Sequence, residues 1–265
     1  KHYSQVAESV EGRKKLRNWN VFGSAGESLR ESFGIGGPAD ALWGNAFFDT
    51  YMEHQIQWFN EYGMYRDPND PFTYDITTRL QIATALHFGY RGKLAAELDE
   101  LNRKGNLTLL LILSPSGEVP FGGRSSQFHF QEAIVAALCE LEVCRYKKEN
   151  PRLAAAFKRQ AHISALAVRD SILREDGKVF HIKNRFAPET RHGCDCYGHY
   201  SVYSLLAGSL FGLAALFADD AIPEAPSPAE LGGFCFAIKG SFEKAFANKN
   251  GNYLEFDLLA NIHED

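Results

Sequence analysis

The chain has 265 residues, of which 45% are hydrophobic and 23% charged, and it carries a net charge of −5. That length and balance suit one large globular domain or two, with no reason to expect disorder. The acidic balance argues against general nucleic-acid binding, which needs a basic face to displace counterions. An acidic ligand remains compatible, because Arg66, Arg79, Arg124, Arg185 and Arg191 fall near loops or predicted helix ends, where positive potential can be local.

Five cysteines leave at least one unpaired, and Cys194 and Cys196 are too close in sequence for an easy mutual disulfide, so cysteine usage does not fix the compartment. No signal peptide heads the chain, whose first residue, Lys1, is compatible with earlier processing or truncation.

In chain order, residues 3–17 read as an exposed charged helix, and residues 23–38 are rich in glycine and serine. Within that stretch GIGGP (34–38) lacks the Lys-Ser/Thr of a phosphate loop and is closed by Pro38, so it reads as a turn. Asp40 is placed to cap a helix over 41–61, along which Trp43, Phe47, Tyr51, His54 and Trp58 recur at spacings of three and four. Such a stripe is usually core, although its exposed end could stack on a sugar ring. After a Pro-punctuated loop at 64–75, helices are expected over 73–88, 93–104, 105–113, from Ser125 or Ser126 to Lys147, and from Pro151 to Leu173.

A turn and short strand follow at 176–184. The uncharged run from Cys196 to Ala218 is long enough to span a bilayer, but it carries several glycines and serines with Asp219-Asp220 directly after it. The reading taken is a helix buried on all sides of a helical domain, with no membrane span. Beyond residue 231, GGFCFAI (232–238) and NYLEFDLL (252–259) alternate as strands, with a turn at Asn250-Gly251. The expected architecture is therefore mainly α, with a helical domain over 1–230 and a short β segment over 231–265.

The richest chemistry lies in NRFAPETRHGCDCYGHYSVY (184–203), which crowds Arg185, Arg191, His192, Cys194, Asp195, Cys196, Tyr197, His199, Tyr200 and Tyr203 around a loop entering the apolar helix. A second polar loop, PFGGRSSQFHFQE (120–132), offers Arg124 after two glycines, then Gln127, His129 and Glu132. The two stretches read as halves of one site.

With GMYRDPNDPFTYDITTR (63–79), these stretches give a sequence that resembles the (α/α)-toroid polysaccharide lyases, in particular the heparinase II/III-like group and the rhamnosyl-glucuronate lyases. The likeness extends over roughly residues 40–260. It implies an (α/α) toroid or partial toroid of antiparallel helix pairs, continuing towards a β-sandwich. It also implies cleavage of a uronate-containing glycan by β-elimination, with a tyrosine or histidine as base and a histidine, asparagine, glutamine or arginine against the uronate carboxylate.

That chemistry needs a base in reach of the proton α to the carboxylate, cationic or hydrogen-bonding groups on the enolate, and an acid for the leaving oxygen. A tyrosine serves as base only beside positive charge, whereas histidine titrates near the working pH unaided. Tyr197 is assigned as base, with acid duty also open to it, and His192 assists or takes one of the two roles. Arg124 and Gln127 are assigned to the substrate carboxylate, with His129 beside them; Arg191, Tyr200, Tyr74 and Arg79 complete the substrate-binding set. Neither a cofactor nor a metal is expected. The expected partner is an acidic oligosaccharide or polysaccharide, and a secreted or periplasmic location is taken over a cytoplasmic one.

Competing readings use the same residues. His192, Cys194, Asp195, Cys196 and His199 are zinc-type ligands at a spacing tight for a structural site. Cys196 near His192 permits thiol chemistry, and Glu132 with Asp195 permits a glycoside hydrolase. A non-catalytic glycan binder would use the aromatic stripe at 43–58.

Overall fold

The computed structural model describes residues 10–36, 43–172, 183 and 202–258. It is mainly helical, with α1 (Val10–Lys14), α2 (Asn18–Ser32), α3 (Gly44–Gln55), α4 (Phe72–His87), α5 (Ala95–Ile112), α6 (Phe130–Tyr146), α7 (Pro151–Ile172), α8 (Val202–Phe217) and a single-turn α9 (Pro228–Leu231). A three-stranded antiparallel sheet follows, in the order β1 (Gly232–Ile238), β2 (Lys244–Lys249), β3 (Asn252–Asp257). The chain divides into two compact units, Lys1–Asp70 with Tyr74–Gly105 and Pro71–Thr73 with Asn106–Asp265.

In the first unit Val21, Ala25, Phe48, Met52, Tyr65, Ile82, Ala85, Tyr90 and Leu98 form one buried cluster. The glycine- and serine-rich segment that opens at Gly23 is helical as far as Ser32, within α2. Its small residues let the helix pack closely on α3, and Ser24 Oγ donates back to the Asn20 carbonyl at 2.6 Å, so the hydroxyl does not compete with the helix. The stretches expected as two helices at 93–104 and 105–113 are one, α5, which runs through Gly105. A Cβ there would lie 2.3 Å from the Gly63 carbonyl oxygen, so glycine at this position serves close packing and ends no helix.

In the second unit the helix buried on nearly all sides is α6, whose residues other than Cys144 and Arg145 are all buried. It packs against α7 and α8. Its acidic groups are matched where they go inside: Glu140 takes Lys158 Nζ at 2.8 Å, and Glu142 takes Asn106 Nδ2 at 2.9 Å.

The all-round burial expected of the 196–218 helix is not found. Within its described part, α8 buries one stripe, Ala207, Leu210, Ala214 and Phe217, while Leu205 is 73% and Leu216 66% exposed. The sequence there is apolar on every side, so composition alone could not tell which side meets a neighbour. Among the described residues no helix is long and apolar enough to cross a membrane.

The sheet joins the same unit. Phe72 rests on Phe242 with ring centroids 4.9 Å apart, and Phe236 stacks on its cross-strand partner Phe246 at 5.3 Å. β1 and β3 follow the alternation read from sequence, and the turn at Asn250-Gly251 has the two positive φ values of a tight hairpin, 53° and 76°. β2 went unread because its inward positions are Lys244, Phe246 and Asn248, which mix polar with apolar.

Candidate active site

The loop between α5 and α6 is fastened at several points. Ser114 N donates to the Glu118 carbonyl at 3.0 Å and Glu118 N donates to Ser114 Oγ at 3.1 Å, closing a tight turn. That turn docks on α7 where Ser164 Oγ donates to the Gly117 carbonyl at 2.9 Å. Phe121 N then donates to Glu255 Oε1 at 2.9 Å, while Lys244 Nζ donates to the Phe121 carbonyl and, at 2.8 Å, to Glu255 Oε1. Both backbone polar groups of Phe121 are thus held by the sheet. Gly123, at φ 84°, lies so close to Pro71 that a Cβ would come within 2.7 Å of its Cα. Ser125 holds φ 67° while almost fully buried, a conformation that costs a non-glycine residue about 1 kcal/mol.

Beneath this loop lies a cavity of about 260 Å³ lined by Ser114, Glu118, Val119, Phe121, Ser126, Gln127, Lys183, Tyr253 and Glu255. Tyr253 donates to the Ile112 carbonyl at 2.7 Å and lies 3.1 Å from Glu255 Oε2. Burial, reinforced by the Glu255 charge, pushes its phenol well above the ordinary tyrosine value, which makes it a poor base.

Lys183 stands at the centre of the arrangement. Its backbone N–H donates to the Gln127 carbonyl at 2.7 Å, and its Nζ donates to Glu132 Oε1 at 2.8 Å. The same oxygen accepts from Val119 N at 3.1 Å. At the far side of residues 184–202, Tyr203 packs its ring 4.7 Å from Phe128 and 5.7 Å from Phe130. The residues on either flank of the titratable stretch therefore both attach to the segment 127–132.

Of the residues predicted for the site, Gln127 lines the cavity. Arg124 is half-buried on the same loop, and His129 is buried at the entry to α6, with Nδ1 3.5 Å from Ser171 Oγ. Tyr74 and Arg79 belong to the first unit. Tyr74 is half-buried on the first turn of α4. Arg79 is fully buried, its guanidinium forked onto Asp75 at 2.8 and 2.7 Å, and Asp75 Oδ1 also accepts from Tyr65 N at 2.7 Å. Arg191, His192, Tyr197 and Tyr200 lie outside the described residues, as do His199, Asp195 and the cysteines of the zinc and thiol readings. Among the described residues no three His, Cys, Asp or Glu side chains are grouped to hold a metal.

Sequence reasoning passed over Glu118, Phe121, Lys183, Lys244, Tyr253 and Glu255. One signal for them was present: Tyr253 and Glu255 share the face of β3 opposite Leu254 and Phe256, and the apolar pair is the exposed one. Polar side chains on the inward face of a strand mark something polar beneath it. No protein-family model, no curated protein and no solved structure matches this chain.

Proposed function

We propose that the protein is a lyase that cleaves a uronate-containing polysaccharide or oligosaccharide by β-elimination, on helices arranged as all or part of an (α/α) toroid. The observation that supports it best is the double attachment of Lys183 and Tyr203 to residues 127–132. It favours a shared location for the two stretches that the chemistry requires. Consecutive helices in contact, α2 with α3 and α6 with α7, fit the helix pairs of a toroid.

In this reading Arg124 and Gln127 hold the uronate carboxylate and draw charge from the developing enolate, with His129 behind them. Tyr197, its phenol made acidic by Arg191 and His192, removes the proton α to the carboxylate. The C4–oxygen bond breaks as the C4=C5 double bond forms, and Tyr197 or His192 returns a proton to the leaving oxygen. Tyr200 shares the substrate contact. Tyr253 is ill-suited to the base role because its phenol is raised by burial. Lys183 already neutralises Glu132, so its charge is spent within the protein. A secreted or periplasmic location would give such an enzyme access to its glycans.

The test is incubation of the full chain with a panel of uronate glycans, followed by near-ultraviolet absorbance of the unsaturated product. Wild type should generate the chromophore on at least one substrate and Tyr197→Phe on none. Retained turnover in Tyr197→Phe removes that residue from the mechanism. A second reading, a glycoside hydrolase, gains from the two carboxylates Glu118 and Glu255 lining one cavity. New reducing ends without the chromophore would favour it. Glu132, first considered for that role, is buried against Lys183 and poorly placed for it.

A further inference from the structure

We propose that the cavity beneath the 114–127 loop is a binding subsite for a neutral sugar ring, stacked on Phe121 and read through its hydroxyls by Glu118 and Ser126. The inference rests on the glycan-cleaving reading for the class of ligand, and on the cavity itself for the kind of ring.

Phe121 is 63% exposed at the cavity wall. Its backbone donor and acceptor are both engaged, by Glu255 and Lys244, so the ring is offered from a fixed point. A pre-positioned aromatic face loses little freedom on binding and suits the apolar face of a pyranose.

The charges of the cavity point to a ring without a carboxylate. Lys183 is matched to Glu132 at 2.8 Å, and Lys244 to Glu255 at 2.8 Å. Glu118 has no such cation among the described residues; its carboxylate receives Ser116 Oγ at 3.1 Å and is otherwise exposed. An ionised carboxylate only accepts hydrogen bonds, so it selects hydroxyl donors and repels an anion. Ser126 adds a hydroxyl that can both donate and accept. A volume of about 260 Å³ lies below the roughly 300–1,000 Å³ of drug-sized sites and is on the scale of one ring. The subsite would hold the neutral residue of a glycan in which neutral and acidic sugars alternate.

The experiment titrates the full chain, by calorimetry, with linear neutral oligosaccharides of glucose, mannose, xylose and galactose and with an oligomer of glucuronate alone. At least one neutral oligomer should bind, and Phe121→Ala should weaken it about ten-fold while Phe121→Tyr, which keeps the ring, preserves it. Glu118→Gln should weaken neutral binding several-fold and leave the far-ultraviolet spectrum unchanged. Absence of binding by every neutral oligomer, or an affinity indifferent to Phe121→Ala, overturns the proposal. So does glucuronate-oligomer binding that alone responds to these variants. The unsaturated-product assay is read separately: product without neutral binding sinks the subsite alone, and neutral binding without product sinks the elimination alone.

Discussion

Lys183 Nζ lies 2.8 Å from Glu132 Oε1, with the glutamate side chain 1% and the lysine 11% exposed. A charge pair this deep contributes little over an apolar pair of the same shape, but removing one member strands the other. Lys183→Met should therefore cost about 3–5 kcal/mol in urea unfolding. Adding Glu132→Leu should recover much of that loss. Additive losses in the double variant would mean that the two side chains do not act as a pair.

Arg79 and Asp75 form the corresponding pair in the first unit, both side chains 0% exposed. The sequence reading gave Arg79 a substrate contact; its geometry instead predicts a stability phenotype. Arg79→Met should destabilise by about 3–5 kcal/mol, because Asp75 keeps only neutral donors such as Tyr65 N. Protein that remains folded at low temperature should keep its KM. A raised KM at unchanged stability would restore the contact first expected.

Arg159 forks onto Glu230 and, despite partial burial, holds that carboxyl below its ordinary value. A carboxylate lowered in the folded state stabilises fully above its unfolded value, about 4.3. That contribution is lost as pH falls through 4.3 towards the lower folded value. Glu230→Gln should cost about 1 kcal/mol at neutral pH and almost nothing at a pH low enough to protonate the carboxyl in the folded protein as well. The amide oxygen can still accept from Ser227 N, which preserves the cap of α9. Equal losses at both pH values would assign the effect to the cap.

How much could be read beforehand depended on whether a pattern was local. β1 and β3 alternate over several residues and end at a hairpin dipeptide, so both were legible. α6 was legible as a helix but not as the centre of its unit, because Glu132, Glu140 and Glu142 mimic a solvent face. Each is buried against a partner distant in sequence, respectively Lys183, Lys158 and Asn106. α8 misled in the opposite direction, being apolar all round yet buried along one stripe. Of the site, the 120–132 loop was visible from its composition. The sheet's part in fixing it was not, since Glu255 and Phe121 meet across 134 positions of sequence.

The exposure of α8 makes its own prediction. Leu205→Lys and Leu216→Lys should each change stability by less than about 0.5 kcal/mol, the usual range for surface positions. Ala214→Lys, on the buried stripe, should be strongly destabilising. If the leucine variants unfold the protein as readily, the helix is enclosed on that side as well.

Two helical glycines should respond to alanine with opposite signs. Alanine is favoured over glycine in a helix interior by about 1 kcal/mol, so propensity alone predicts a gain at both. At Gly208 in α8 nothing lies within 4 Å of the added Cβ, and Gly208→Ala should stabilise by up to that amount. At Gly105 in α5 the Cβ would meet the Gly63 carbonyl oxygen at 2.3 Å and Arg79 Cδ at 2.7 Å. Overpacking typically costs about 1–3 kcal/mol, and a backbone oxygen yields less readily than a side chain, so Gly105→Ala should be destabilising by about 2 kcal/mol net. Its effect should couple with that of Arg79→Ala, which removes the side-chain atoms crowding the added Cβ and leaves only the Gly63 oxygen. A stabilising Gly105→Ala would mean that α5 does not approach the Gly63 turn this closely.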